Sequence, residues 1–258
     1  MRPLRPETGS QEDTRVSDPG PVRFSNLRAY GRSGVHGYQS RFGAEAEASY
    51  AMQRGTAVHA LLFNTRKVLG YPGATRRGKE YDAFVAANPD TEILTMTEYD
   101  KARGMADALR ASEVAKPFLQ GITEQTILFR WMGEDCRSTP DVRGADFVTE
   151  LKTCPISEPM RFNWHALRIH YHAQMRFEAI ASGLAQCYIV AVEATSPYPV
   201  TVFKLTARAL EQGEKLLMLW MERLRGCELS KQWMPYVSSV VDLDVPEDAV
   251  ELTYGDEI

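Results

Sequence analysis

The residues TAVHALLF, 56 to 63, repeat their apolar positions at helical spacing, so Val58, Leu61 and Leu62 share a face and the stretch reads as a buried helix. A second helix is expected from Thr97, taken as N-cap with Asp100 as its acidic partner, through Met105 and Leu109. Alternation then replaces the helical period. Ile127 and Phe129 in TEQTILFRW mark a strand, and PDVRGADFVTELKT reads as a hairpin turning at residues 143–146. Helical spacing returns from Arg161 to about Gly183, where one long helix would bury Leu167, Tyr171, Met175 and Ile180. QCYIVAVEATSPYPVTVFKL gives two strands around Pro197 and Pro199. An amphipathic helix over residues 207–225 follows, with Leu210, Leu216, Leu217 and Trp220 on its apolar side.

The ends differ from this pattern. Residues 1–22 are polar and punctuated by Pro3, Pro6, Pro19 and Pro21, which predicts a disordered tail. Residues 242–258 hold no Lys or Arg and form an expected acidic tail, suited to solvation, to covering a cationic surface or to meeting a partner. A single domain is expected between them, over residues 23–241. At 258 residues and 44% hydrophobic content the chain is long enough for a substantial core. A net charge of -4 means that any nucleic-acid contact must come from a local cationic surface. Cys136, Cys154, Cys187 and Cys227 form no CxxC pair, which argues against a zinc ribbon or a disulfide framework. With no apolar signal core and no run long enough to span a membrane, a cytoplasmic location is the expectation. Neither a GxxxxGK[ST] loop nor an HExxH helix is present.

The candidate chemistry lies in the hairpin. Asp141 follows a Pro and is separated by eight residues from the triplet Glu150-Leu151-Lys152. Side chains two apart on a strand share a face, so Glu150 and Lys152 project together while Leu151 points to the core. The turn brings Asp141 beside them. Two carboxylates can hold hard cations such as Mg²⁺, which activate water and polarise a phosphoryl oxygen, and an ammonium can balance the growing charge. Strings of this kind also occur in solvated hairpins and ion-paired strand edges. Elsewhere, Glu124 stands as a further carboxylate or an exposed strand-end acid. His59 is a core histidine or a ligand, and Gln174 lines a metal pocket or a wet helix face. Arg76, Arg77 and Lys79 hold phosphates or cap a solvated helix start.

The order of blocks narrows these choices. GTAVH, RRGKEYDAF, a Glu ahead of FRW, PD, ELKT, YHAQ and VEATSPYPV, between Ser25 and Gly213, closely resemble RecE-like exonucleases of the PD-(D/E)xK superfamily. The resemblance implies an α/β (α+β) restriction-endonuclease-like core, a mixed central sheet flanked by helices. It also implies a metal-dependent processive 5′→3′ exonuclease on double-stranded DNA ends, working in phage-type recombination. One or two Mg²⁺ or Mn²⁺ ions would be held by Asp141, Glu150, the Leu151 carbonyl and His59. Lys152 would be the base or water-positioning group, and Gln174 its support. A homo-oligomeric ring of three or four copies and a single-strand annealing partner are further implications. The rivals are an endonuclease or single-strand nuclease of the same fold, and a non-catalytic DNA-end-binding module. One position departs from the family's QxxxY pattern, because Glu178 stands where the Tyr is expected.

Overall fold

The computed structural model describes residues 19–44, 49–73 and 75–243. The expected tails fall largely outside these residues. In chain order the elements are α1 (Phe24–Arg32), α2 (Gly34–Phe42), α3 (Tyr50–Phe63), β1 (Lys67–Tyr71), α4 (Lys79–Ala87), β2 (Thr91–Thr95) and α5 (Met96–Ala111). They continue as β3 (Ile122–Thr123), β4 (Ile127–Trp131), β5 (Glu134–Ser138), β6 (Val142–Arg143), β7 (Phe147–Cys154), α6 (Pro159–Arg168), α7 (Tyr171–Ser182), β8 (Gln186–Glu193), β9 (Val200–Lys204) and α8 (Ala207–Ser230).

The sheet that organises the chain has the order β3-β6-β7-β8-β9. β7 and β8 are parallel, and the other pairs are antiparallel. The parallel pair needs a crossover, which α6 and α7 supply. β8 is buried along six successive residues, as a strand covered on both faces must be. On one face Leu151, Val190 and Val192 pack with Val58 of α3 and Met105 and Leu109 of α5. On the other, Val148, Cys187 and Ile189 pack with Phe162 of α6 and Met175 of α7. The mixed sheet flanked by helices is therefore as expected. A third cluster joins α1, α7 and α8 to the β4–β5 hairpin through Leu27, Tyr30, Phe177 and Leu217.

Several boundaries differ from the sequence reading. The expected helix from Arg161 to Gly183 is two helices, because His170 adopts a left-handed conformation (φ 66°) between α6 and α7. Leu167, expected in the core, is consequently exposed. Helix α5 is capped by Thr95, whose hydroxyl accepts from the Glu98 N–H, and not by Thr97; β2 runs directly into the cap. Helix α8 continues to Ser230. Val22, assigned to the tail, is 1% exposed and pairs its backbone with Asp135 and Arg137 beside β5. The parallel pair β1–β2 and the helices α1 and α2 were not among the elements expected from the sequence.

Gly213 decides how closely α8 approaches α7. A Cβ there would lie 2.5 Å from the His172 carbonyl oxygen and 3.0 Å from the Ala173 Cα. These are backbone atoms of the helix that carries Gln174, so they cannot yield without moving it. Gly213→Ala is expected to destabilise by about 1–3 kcal/mol, the usual cost of overpacking, although alanine favours a helix. Urea unfolding followed by circular dichroism measures this; an unchanged or raised midpoint refutes the close-approach account.

Candidate active site

Asp141 precedes the two-residue strand β6, whose Val142 pairs with Thr149 of β7; the antiparallel register puts Asp141 opposite Glu150. Its position is fixed from both sides. Its carbonyl accepts from the Glu124 N–H at 3.1 Å, and its Oδ2 accepts from the Leu151 N–H at 2.7 Å. In an extended strand N–H and C=O of one residue point to the same edge, so the Leu151 carbonyl is directed to the side on which Asp141 stands. Glu150 and Lys152 lie on the α7 face, while Leu151 is buried on the α3 and α5 face, as the alternation predicts.

Helix α7 then supplies the partners. Lys152 Nζ donates to Glu150 Oε1 at 2.6 Å and to Gln174 Oε1 at 3.1 Å. Gln174 Nε2 donates to Glu150 Oε1 at 2.6 Å and to Glu178 Oε1 at 3.0 Å, so both amide hydrogens are used. Lys152 Nζ also lies 4.6 Å from the centroid of the Tyr171 ring, a cation–π contact. Tyr171, Gln174 and Glu178 are spaced three and four apart, hence one helix face toward one strand. Tyr171, expected as a buried position and as a stand-in for the tyrosine that Glu178 replaces, sets its ring against Lys152.

From the other layer, α3 brings His59 Nδ1 to 3.3 Å from Asp141 Oδ1 and 4.0 Å from Glu124 Oε1. Glu124 follows β3 with a left-handed backbone (φ 50°) and is partly exposed. His59 and Glu124 line a cleft of about 280 Å³ with Thr56, Ala60, Thr65 and Arg66. The predicted residues Asp141, Glu150, Lys152, Gln174 and His59 thus converge, with Glu124 at the margin. Arg76 is engaged internally, donating to the Ile93 carbonyl and Gln53. Arg77 and Lys79 are exposed.

Asp141 and Glu150 are each 8% exposed, and burial dominates the electrostatics. It pushes the Glu150 carboxyl up, the Asp141 charge pushes the same way, and Lys152 and His59 oppose. Burial would lower Lys152, but Glu150, Tyr171 and Asp141 outweigh it and hold the ammonium charged. Burial likewise lowers His59, and Asp141 reverses the sign, leaving it raised. Two carboxylates and a carbonyl are oxygen donors that suit Mg²⁺ or Mn²⁺, and the His59 imidazole is a softer group beside them. Among the described residues no three His, Cys, Asp or Glu side chains form a ready-made metal cage. Mg²⁺ ordinarily takes one or two carboxylates and keeps its waters, so the donor set still fits.

A mixed sheet covered by helices, with an Asp beside a Glu-x-Lys strand, defines the PD-(D/E)xK class of fold. The chain belongs to the family described as PDDEXK-like domain of unknown function (DUF3799), whose model matches residues 24–239. Among solved structures it is similar to a candidate exonuclease from Eubacterium rectale. The two share 13% identity with a TM-score of 0.64, over 98% of this chain and 100% of that one. It also matches a phage related exonuclease from Haemophilus somnus 129PT at 9% identity and a TM-score of 0.40, over 82% and 96% of the respective chains. At such identities the first likeness shows the fold. No curated protein matches the sequence. No helix among the described residues is long and apolar enough to cross a membrane.

Glu178 is 3% exposed and its Oε2 meets no hydrogen-bond partner among the described residues. Burial first, then the charges of Glu150 and Asp141, push its carboxyl well above the usual 4.5. An acid raised on folding binds more protons folded than unfolded, so its contribution to stability falls as pH rises above the unfolded value. Glu178→Gln keeps the acceptor for Gln174 and removes the titration. Its melting temperature relative to the parent chain is expected to increase progressively from pH 4.5 to pH 8. Scanning calorimetry across that range checks it; a pH-independent difference refutes a raised Glu178.

Proposed function

We propose that the chain is a divalent-metal-dependent deoxyribonuclease that hydrolyses phosphodiester bonds, acting as a processive 5′→3′ exonuclease on linear double-stranded DNA. The observation that carries this reading is the convergence of Asp141, Glu150 and Lys152 in one buried cluster, with Gln174 and His59 closing it from two layers. Asp141, Glu150, the Leu151 carbonyl and His59 would hold one or two Mg²⁺ or Mn²⁺ ions. When bound, such an ion lowers the pKa of water and polarises the phosphoryl oxygen.

The protein's own groups orient and balance charge. Lys152, held as an ammonium, is suited to positioning the attacking water and to stabilising negative charge on phosphate, more than to accepting a proton. Gln174 keeps the Lys152 head and the Glu150 carboxylate in register by bonding both. Membership of a PDDEXK-like family supports hydrolysis at this site. The 5′→3′ polarity, the ring of three or four copies, the annealing partner and the recombination role rest on the RecE-like order of sequence blocks. The cytoplasmic location and the single domain over residues 23–241 remain part of the same proposal.

Digestion of 5′-labelled and 3′-labelled linear duplex, beside covalently closed circles, tests the reading. With Mg²⁺ the 5′ label is expected to leave as mononucleotide while circles survive, and EDTA is expected to stop the reaction. Lys152→Ala should lower the rate about 10²-fold or more, the scale of losing one electrostatic transition-state contact. Cleavage of circles would favour an endonuclease, and end binding without hydrolysis would leave a binding module.

A further inference from the structure

Helix α6 carries an apolar row on its outer side. Its core contact is Phe162, 1% exposed and stacked on Phe203 at 4.4 Å between ring centroids. Met160, Trp164 and Leu167 are spaced as i, i+4 and i+7, so they form one row, about 160–220° around the helix from Phe162. They are 71%, 71% and 40% exposed. An ordinary surface helix presents polar groups there.

A cationic row lies beside the apolar one. Arg161 and Arg168 are seven residues apart and therefore share a face, about 100° from Met160 and Leu167. Both are exposed, and neither forms a salt bridge among the described residues. The nearby acid, Glu158, is the N-cap, and its two oxygens accept from the N–H groups of Met160 and Arg161. No Asp or Glu lies within α6.

This helix adjoins the candidate active site. The rings of Phe162 and His165 each lie 6.3 Å from that of Tyr171, which contacts Lys152. We propose that the outer face of α6 is a strand-binding platform, on which unpaired bases of single-stranded DNA stack against Trp164 while Arg161 and Arg168 hold their phosphates. The juxtaposition of an exposed apolar row holding one aromatic ring, Trp164, with two exposed arginines that form no salt bridge among the described residues fits an unpaired strand, which offers base faces and phosphates together. From Met160 to Leu167 the row rises about 10 Å, room for roughly three nucleotides of a stacked strand. The platform rests on the reading of DNA as substrate and adds where the strand lies.

The test is binding, separate from cleavage. Fluorescence anisotropy of a labelled single-stranded oligonucleotide is measured in EDTA on the full chain carrying Lys152→Ala. Adding Trp164→Ala is expected to weaken binding about tenfold, the loss of one base stack, and Trp164→Phe to restore most of it. Arg161→Gln with Arg168→Gln should flatten the dependence of log affinity on log salt by about 1.4. Trp164 is exposed, so an unchanged melting temperature in these variants verifies folding. Unchanged affinity and salt slope overturn the platform, as does sedimentation showing that Trp164→Ala separates copies of the chain while DNA affinity is retained. If the parent chain hydrolyses no DNA yet loses strand binding on Trp164→Ala, the nuclease reading fails and the platform stands. If it hydrolyses DNA and the α6 variants bind normally, the reverse holds.

Discussion

Two carboxylates that face each other with little access to water are the constraint from which the rest of this structure follows. Asp141 and Glu150 cannot both stay ionised there unless nearby positive charge and hydrogen-bond donors offset their desolvation and repulsion. His59, Lys152, the Leu151 N–H and the Gln174 amide are those groups. They come from α3 on one face of the sheet, from β7 itself and from α7 on the other. No single element could balance the pair. The site therefore exists only when all three layers are packed, and the cores on both faces act on its geometry. Removing one charge from such a cluster leaves another buried without compensation, which costs far more than a surface ion pair contributes.

The strand chemistry was legible because period-two alternation is a strong local signal. It placed Leu151 inward and Glu150 with Lys152 on the opposite face, as the sheet has them. The pairing of Asp141 with Glu150 also followed, since a short turn leaves little freedom of register. His59 was ambiguous: a histidine on an apolar helix face carries no information about what lies across the core. Its proximity to Asp141 depends on how α3 meets the sheet end, a long-range fact. The cap expected at Thr97 is instead set at Thr95 by the end of β2. Arg76 read as free cationic surface because its acceptors, the Ile93 carbonyl and Gln53, are distant in sequence.

Glu178 bears on the same constraint from the other direction. It adds a third acid to a cluster already strained by two, and burial keeps it from acting as a third full charge. In that state it still accepts from Gln174 Nε2, which leaves the other amide hydrogen for Glu150 and turns Oε1 toward Lys152. The orientation of the amide is thereby fixed at both ends. A residue that departs from the expected tyrosine thus supports the geometry of the site without entering its charge balance.

The break at His170 was invisible because neither Gly nor Pro marks it and the apolar period continues across it. Its consequence is geometric. In one continuous helix Phe162 and Tyr171, nine residues apart, would be separated by about 13.5 Å along the axis. Their ring centroids are 6.3 Å apart, so α6 folds back over the first turn of α7. The fold-back sets Phe162 and His165 of α6 against Tyr171 of α7 and leaves the outer row of α6 facing solvent. The left-handed residue is thus what lets α6 pack over the Tyr171 ring that contacts Lys152.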